Sequence, residues 1–267
     1  MGFKEAVPQQ QPTHEYPPKS KWPYAVLSAI LIIFILIVSL VFVFPFLANL
    51  SREQLISSDW SGYSVASNMV NPQPSVTSVN GSWAVPTVKI SATDSYSAIW
   101  IGIGGQFDDS LIQVGTEQDS RKGRAAYSAW YELLPANPIT IDSINVSQGD
   151  QIEASIFLLD TNTTAWSMKI QDITNGQSFQ KTVIYASSML SAEWIVERPS
   201  VGARLSTLAD FGQVEFTRCT ETVDGKDGNI STFPHAQLTM VNRQNADLAH
   251  VSSLTSGGSS FTVTYVP

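Results

Sequence analysis

The feature that most constrains this chain is a rhythm of short β-forming stretches. Beyond residue 80 come GSWAVPTV, SAIWIGIGG, SLIQVGTEQ, AAYSAWYELLP, QIEASIFLL, AWSMKIQDI, QKTVIYAS, AEWIVER, QVEFTRCTE, AQLTMVNR and SFTVTYV, with Gly, Pro, Asn and Asp between them. Val, Ile, Thr, Tyr and Trp suit a pleated, half-buried surface, and the separating residues set turns. So many segments at even spacing predict an all-β domain, either a sandwich or a closed barrel. Only SVGARLSTLADFG, residues 200–212, has a helical pattern, and it is short.

The amino-terminal part obeys a different rule. From Tyr24 to Leu50 runs YAVLSAILIIFILIVSLVFVFPFLANL, with no charge between Lys21 and Arg52. A helix needs about 20 apolar residues to cross a bilayer, so 23–48 is expected to span it. A cleaved signal peptide has a shorter apolar region and ends at a small-x-small site; Phe46-Leu47-Ala48 does not supply one. Lys4, Lys19 and Lys21 lie before the span and hold that end in the cytoplasm. The expected organisation is a disordered Pro/Gln-rich leader (1–22), the span (23–48), a linker (49–58) and a single domain (59–267) on the outer face of the cell membrane. The lipid bilayer is thus one partner, and the chain is taken as a monomer.

From residue 51 onward there are 12 basic and 21 acidic residues, a net of −9. Phosphate backbones want a basic surface, so nucleic acid is excluded as a partner. An acidic surface also suits a protein bathed in acid, where protonation relieves self-repulsion. Cys219 is the single cysteine, so no disulfide forms within the chain and packing must hold the domain together. His235 and His250 are far apart and lack metal-ligand spacing, so neither metal nor cofactor is expected. No Gly-x-Ser-x-Gly elbow or phosphate loop occurs. GIGG, residues 102–105, reads as a bend or bulge, and GKDGN, residues 225–229, as a surface turn rather than a calcium loop.

Carboxylates and amides on strands remain. Glu132, Glu193 and Glu197 sit in apolar, aromatic-rich segments, and Gln113 lies between Ile112 and Val114. An acid among tryptophans is costly unless it is paired or used. In SAEWIVERP, strand alternation puts Ala192, Trp194 and Val196 on one side and Glu193, Ile195 and Glu197 on the other.

SDWSGY, GSWAVP, IWIGIGG with LIQVG, YSAWYELLP and AEWIVERP, in that order and spacing, resemble the eqolisin family of glutamic peptidases; the likeness runs from Asp59 to the C-terminus. The resemblance implies an antiparallel β-sandwich of two large sheets (concanavalin A-like, of jelly-roll type) with a substrate cleft across one concave face. It implies a catalytic dyad of Gln113 and Glu197 that activates water for acid endopeptidase chemistry on polypeptide substrates, with no metal or cofactor. Trp100, Tyr131, Glu132 and Glu117 occupy family positions of the cleft wall and its surroundings. Ala192, Trp194 and Val196 would pack between the sheets, while Glu193, Ile195 and Glu197 line the cleft floor. Three positions depart from the family: Gly104 and Ser128 stand where acids are common, and Leu134 where an aromatic is common. Fewer neighbouring acids imply less like-charge pressure on Glu197. Two other readings remain open at this point. One is a membrane-anchored, lectin-like carbohydrate-binding sandwich using Trp60, Trp83, Trp100, Trp130, Trp166 or Trp194; the other is a glycosidase using Glu132 and Glu197.

Overall fold

The computed structural model describes residues 52–267 and the isolated positions 2, 33, 34 and 37. The chain divides into two compact units, Met1–Asn49 and Leu50–Pro267. The expected span, 23–48, and the leader, 1–22, lie outside the described residues except for these isolated positions, of which Ile33, Phe34 and Ile37 are helical. No helix among the described residues is long and apolar enough to cross a membrane.

The second unit is built of strands: β1 (Arg52–Ser57), β2 (Trp60–Val65), β3 (Val76–Ala84), β4 (Ala98–Gly104), β5 (Leu111–Arg121), β6 (Arg124–Leu133), β7 (Ile139–Thr140), β8 (Gln151–Asp160) and β9 (Ala165–Asp172). There follow β10 (Ser178–Ile184), β11 (Ala192–Glu197), β12 (Ser200–Val201), β13 (Arg204–Leu205), β14 (Gln213–Val223), β15 (Lys226–Asn229), β16 (His235–Val241), β17 (Asp247–Val251) and β18 (Phe261–Tyr265). The hydrogen-bonded order is β10-β9-β8-β3-β14-β18-β17-β16-β2-β11-β4-β5-β6-β7, with β1 on β16 and β15 on β14. The expected pair of separate sheets is therefore one continuous ribbon. It folds over so that β3 and β8 pack on β4, β5 and β11, and the two layers of the sandwich are joined through β17 and β18.

Three local expectations are corrected. Residues 52–57, read as linker, form β1, which pairs in parallel with β16 in an otherwise antiparallel ribbon. The stretch with helical periodicity instead makes the β12–β13 hairpin, because Gly202 turns at φ 63° and reverses the chain. Residues 225–229 belong largely to β15, which returns from the Asp224-Gly225 turn and pairs with β14. Both turn residues have positive φ, 52° and 70°, as a tight two-residue hairpin turn demands.

Alternation places Trp83, Trp166 and Trp194 in the layer between the faces, each at most 1% exposed. Burying an indole removes about 200 Å² from water, on the order of 5 kcal/mol. Each buried N–H finds an acceptor: Trp83 donates to Thr116 Oγ1 (3.1 Å), Trp166 to the Tyr185 carbonyl (3.0 Å) and Trp194 to the Asn80 carbonyl (2.7 Å). The core thus gains the apolar area without leaving the donors unsatisfied.

Candidate active site

On the opposite face of β2, β11, β4, β5 and β6 a second, smaller cluster forms, with Ala98, Trp100, Leu111, Trp130, Ile195 and Leu238 at its centre. Register fixes what stands beside what. Glu197 pairs with Trp60 on β2 and Ala98 on β4, and Ala98 pairs onward with Glu117 on β5. In the next row on this face Ile195, Trp100, Gly115 and Trp130 are aligned; in the one after, Ser64, Glu193, Gly102, Gln113 and Glu132. Gln113 and Glu197 therefore share a face, with β4 between their strands.

The glycines in these rows make space for Trp100. A Cβ on Gly115 would lie 2.2 Å from the Ile99 carbonyl oxygen and 2.6 Å from Trp100 Cβ. A Cβ on Gly102 would lie 2.9 Å from Trp100 Cζ3. The indole fills that room, edge-on to Trp60 at 5.0 Å between ring centroids, and its Nε1 donates to Glu197 Oε2 at 2.7 Å. Gln113 Nε2 donates to Glu132 Oε2 at 2.6 Å, and Ser128 Oγ donates to Glu117 Oε2 at 3.3 Å.

These groups open into a cleft of about 360 Å³ lined by Asp59, Trp60, Gln113, Glu117, Trp130, Glu132 and Glu197, among others. Its electrostatics are those of acids held in apolar surroundings. Burial pushes the Glu197 carboxyl up to about 7; the Trp100 hydrogen bond opposes this, and the charges of Asp59 and Glu132 add to it. Burial likewise raises Glu132, against the Gln113 hydrogen bond, and raises Glu117, against Ser128. The thinner acid shell noted in the sequence does not leave Glu197 relaxed, because desolvation is the larger cause. Two buried polar atoms at the cleft, Gln113 Oε1 and Trp130 Nε1, have no hydrogen-bond partner. Among the described residues no group of three or more His, Cys, Asp or Glu is placed to hold a metal ion.

The structure brings Gln113, Glu197, Trp100, Glu132 and Glu117 to one face. Tyr131 is not with them. It follows Trp130 and precedes Glu132, so strand alternation sends it into the main core, where it stacks on Phe179 at 5.6 Å and its hydroxyl accepts from Lys181 Nζ at 2.9 Å. Trp130, of the same parity as Glu132, is the aromatic that β6 gives to the cleft; that parity was the signal available in the sequence. Glu193 shares the face of Glu197 but is 0% exposed and does not line the cleft. Its register neighbours are Ser64 and Gly102, and its carboxyl is raised well above the usual range by burial, with the Asp108 charge adding.

The Peptidase A4 family model matches residues 58–265. The chain belongs to the peptidase A4 family. These are the eqolisins, and the chain is accordingly a glutamic peptidase, a hydrolase of peptide bonds. Aspergillopepsin-2 of Aspergillus niger is 28% identical over 242 residues, covering 82% of this chain and 81% of its own. Scytalidopepsin B of Scytalidium lignicola is 27% identical over 220 residues, covering 78% and 79%. Among solved structures, scytalido-glutamic peptidase with a transition state analog inhibitor superposes with a TM-score of 0.66 at 24% identity, over 79% of this chain and 99% of that one. Aspergilloglutamic peptidase from Aspergillus niger gives 0.57 at 29% identity, over 64% and 99%. Of the six tryptophans weighed as a sugar platform, Trp83, Trp100, Trp166 and Trp194 are at most 1% exposed and Trp130 is 5%, which leaves the half-buried Trp60 to present an indole surface.

Proposed function

We propose that this chain is an acid endopeptidase in which Glu197 and Gln113 act on one water molecule. The reading is carried by one observation: the two side chains line the same cleft on the same sheet face, with the Glu197 carboxyl held by Trp100 and the Gln113 amide held by Glu132. Ionised Glu197 takes a proton from water as the water oxygen attacks the peptide carbonyl carbon. The Gln113 amide has two N–H donors, of which one goes to Glu132; the other serves the oxyanion. Glu197 then passes its proton to the amide nitrogen as the C–N bond breaks. A neutral amide opposite the acid spares the site the like-charge conflict of paired carboxylates. The unpartnered Trp130 Nε1 is a donor for the backbone of an extended substrate.

With its carboxyl up at about 7, Glu197 is mostly protonated in acid. The base form grows about tenfold per pH unit below that point, so kcat/KM rises through the acid range and cleavage is fastest in its weakly acidic part. The apolar run at 23–48 motivates the cellular part of the proposal: a monomer tethered to the outer face of the cell membrane with its leader in the cytoplasm. The test is hydrolysis of a denatured protein by the full chain in detergent, from pH 2 to 7. Glu197→Gln is expected to abolish cleavage, Gln113→Ala to reduce it about 10²–10³-fold, and EDTA to leave the rate alone. Parent-like digestion by Glu197→Gln would refute the assignment.

A further inference from the structure

A second and larger cavity, about 970 Å³, adjoins the cleft around the end of β11. Arg198, Arg204 and Arg243 line it, together with Ser57, Ser58 and Asn245 among others, and no acidic residue does. In a domain of net charge −9 this is a local reversal of sign. The ion pairs formed among the described residues are Lys89–Asp210 and Arg218–Glu153, so these three guanidinium groups carry no carboxylate partner. The Nε of Arg198 is also buried without a hydrogen-bond partner. The nearest acids along the chain, Asp59, Glu197 and Asp247, do not line the cavity; Asp59 and Glu197 face the cleft, and Asp59 accepts from Ser57 and Ser58.

The groove and the cleft are two sides of one wall. Ser58 lines the groove and Asp59 the cleft; Arg198 lines the groove and Glu197 the cleft; the segment 199–205 contributes Pro199 and Ser200 to the cleft and Arg204 to the groove. An extended polypeptide advances about 3.3 Å per residue, so a substrate lying at Glu197 that passes the edge of this wall would meet the groove a few residues on. Guanidinium groups recognise carboxylates through paired N–H donors, and a basic pocket on an acidic protein concentrates negative groups that the rest of the surface repels.

We infer that the Arg198–Arg204–Arg243 groove is an acidic-residue subsite: it binds an Asp or Glu side chain of the polypeptide a few residues from the bond that is cut. The inference rests on the peptidase reading for its position relative to the scissile bond, and on the groove alone for its ligand chemistry.

The test uses the full chain and internally quenched peptides that differ only by Glu or Gln, scanned through the third to sixth positions on either side of the cleaved bond. At pH 5.5 and low salt, one Glu position is expected to raise kcat/KM about 5–20-fold, mostly through KM. The preference should fade at pH 3, as peptide carboxylates protonate near 4, and in about 0.5 M salt, where exposed charges are screened. In Arg204→Gln/Arg243→Gln the Glu-to-Gln ratio should fall toward one. A parent with no Glu preference, or a double variant that keeps it, overturns the subsite. A groove used instead on anionic lipid would show as retention on phosphatidylserine vesicles, lost in the double variant, with no peptide preference; that also overturns it. Binding of the Glu and Gln peptides to Glu197→Gln, followed by fluorescence anisotropy, reads the groove without cleavage. A Glu preference there that the arginine substitutions remove supports the subsite even if the peptidase mechanism fails.

Discussion

Replacing Glu221 by glutamine should change how the fold responds to pH while leaving the cleft alone. Glu221 lies on β14, paired with Val79 and Gly228, is 1% exposed, and neither carboxyl oxygen has a hydrogen-bond partner. Burial pushes its carboxyl from 4.5 up to about 8. A folded-state pKa above the unfolded one means that the folded state holds the proton more tightly. The resulting stabilisation is full below about pH 4.5 and is lost as pH rises through about 8. Between pH 4.5 and 7.5 the loss is three pH units at 1.36 kcal/mol each, about 4 kcal/mol. That is a large fraction of the 5–15 kcal/mol by which domains are usually stable. Glutamine is nearly isosteric with the protonated acid and does not ionise. Urea unfolding at pH 4.5 and 7.5, with m-values compared, measures the difference. The variant should match the parent within about 1 kcal/mol in acid and exceed it by roughly 3–4 kcal/mol at pH 7.5. If parent and variant lose the same stability between the two pH values, Glu221 is not buried and protonated as argued, and the reasoning fails.

Three further outcomes are expected. Trp100→Phe removes the larger of the two tryptophan hydrogen bonds, from Trp100 and Trp60, that lower the Glu197 carboxyl; the acid limb of kcat/KM should move up by about 1–2 pH units, and a downward move would contradict the cause assigned. Gly115→Ala sets a Cβ 2.2 Å from the Ile99 carbonyl oxygen, an overpacking cost of about 3 kcal/mol visible in the urea midpoint, whereas an unchanged midpoint would mean that β4 and β5 are not packed this closely. Tyr131→Phe loses only the contact with Lys181 in the main core, so kcat/KM should hold within about twofold and stability fall by about 1 kcal/mol; a severe loss of activity would return Tyr131 to the cleft.

Alternation in the sequence assigned the faces of β11 correctly, because period two is set by the backbone itself: Trp194 and Val196 lie in the core, Ile195 and Glu197 on the other face. It did not reveal that Glu193 is sealed, since a face can be covered by chain that periodicity does not see. Gly104 and Gly105, at the end of β4, turn with φ 89° and 95° and start the segment that leads over to β5 at Leu111. A Cβ on Gly105 would meet Trp60 and Leu111. Residues 52–57 read as linker because REQLIS carries no clear alternation, yet pairing with β16 makes them a strand. Tyr131 was grouped with Glu132 by motif position, although adjacent strand residues point to opposite faces. Motif resemblance supplied the family and the candidate pair; the cleft they share with Trp130, and the burial that raises Glu197, belong to the tertiary structure.

The most direct test of the central claim is a crystal structure of the Leu50–Pro267 unit with a peptide-based transition-state analogue whose tetrahedral centre carries two oxygens. One oxygen is expected within about 3 Å of the Glu197 carboxyl and the other within about 3 Å of Gln113 Nε2. A tetrahedral centre bound elsewhere, or contacted by only one of the two side chains, would contradict a shared water.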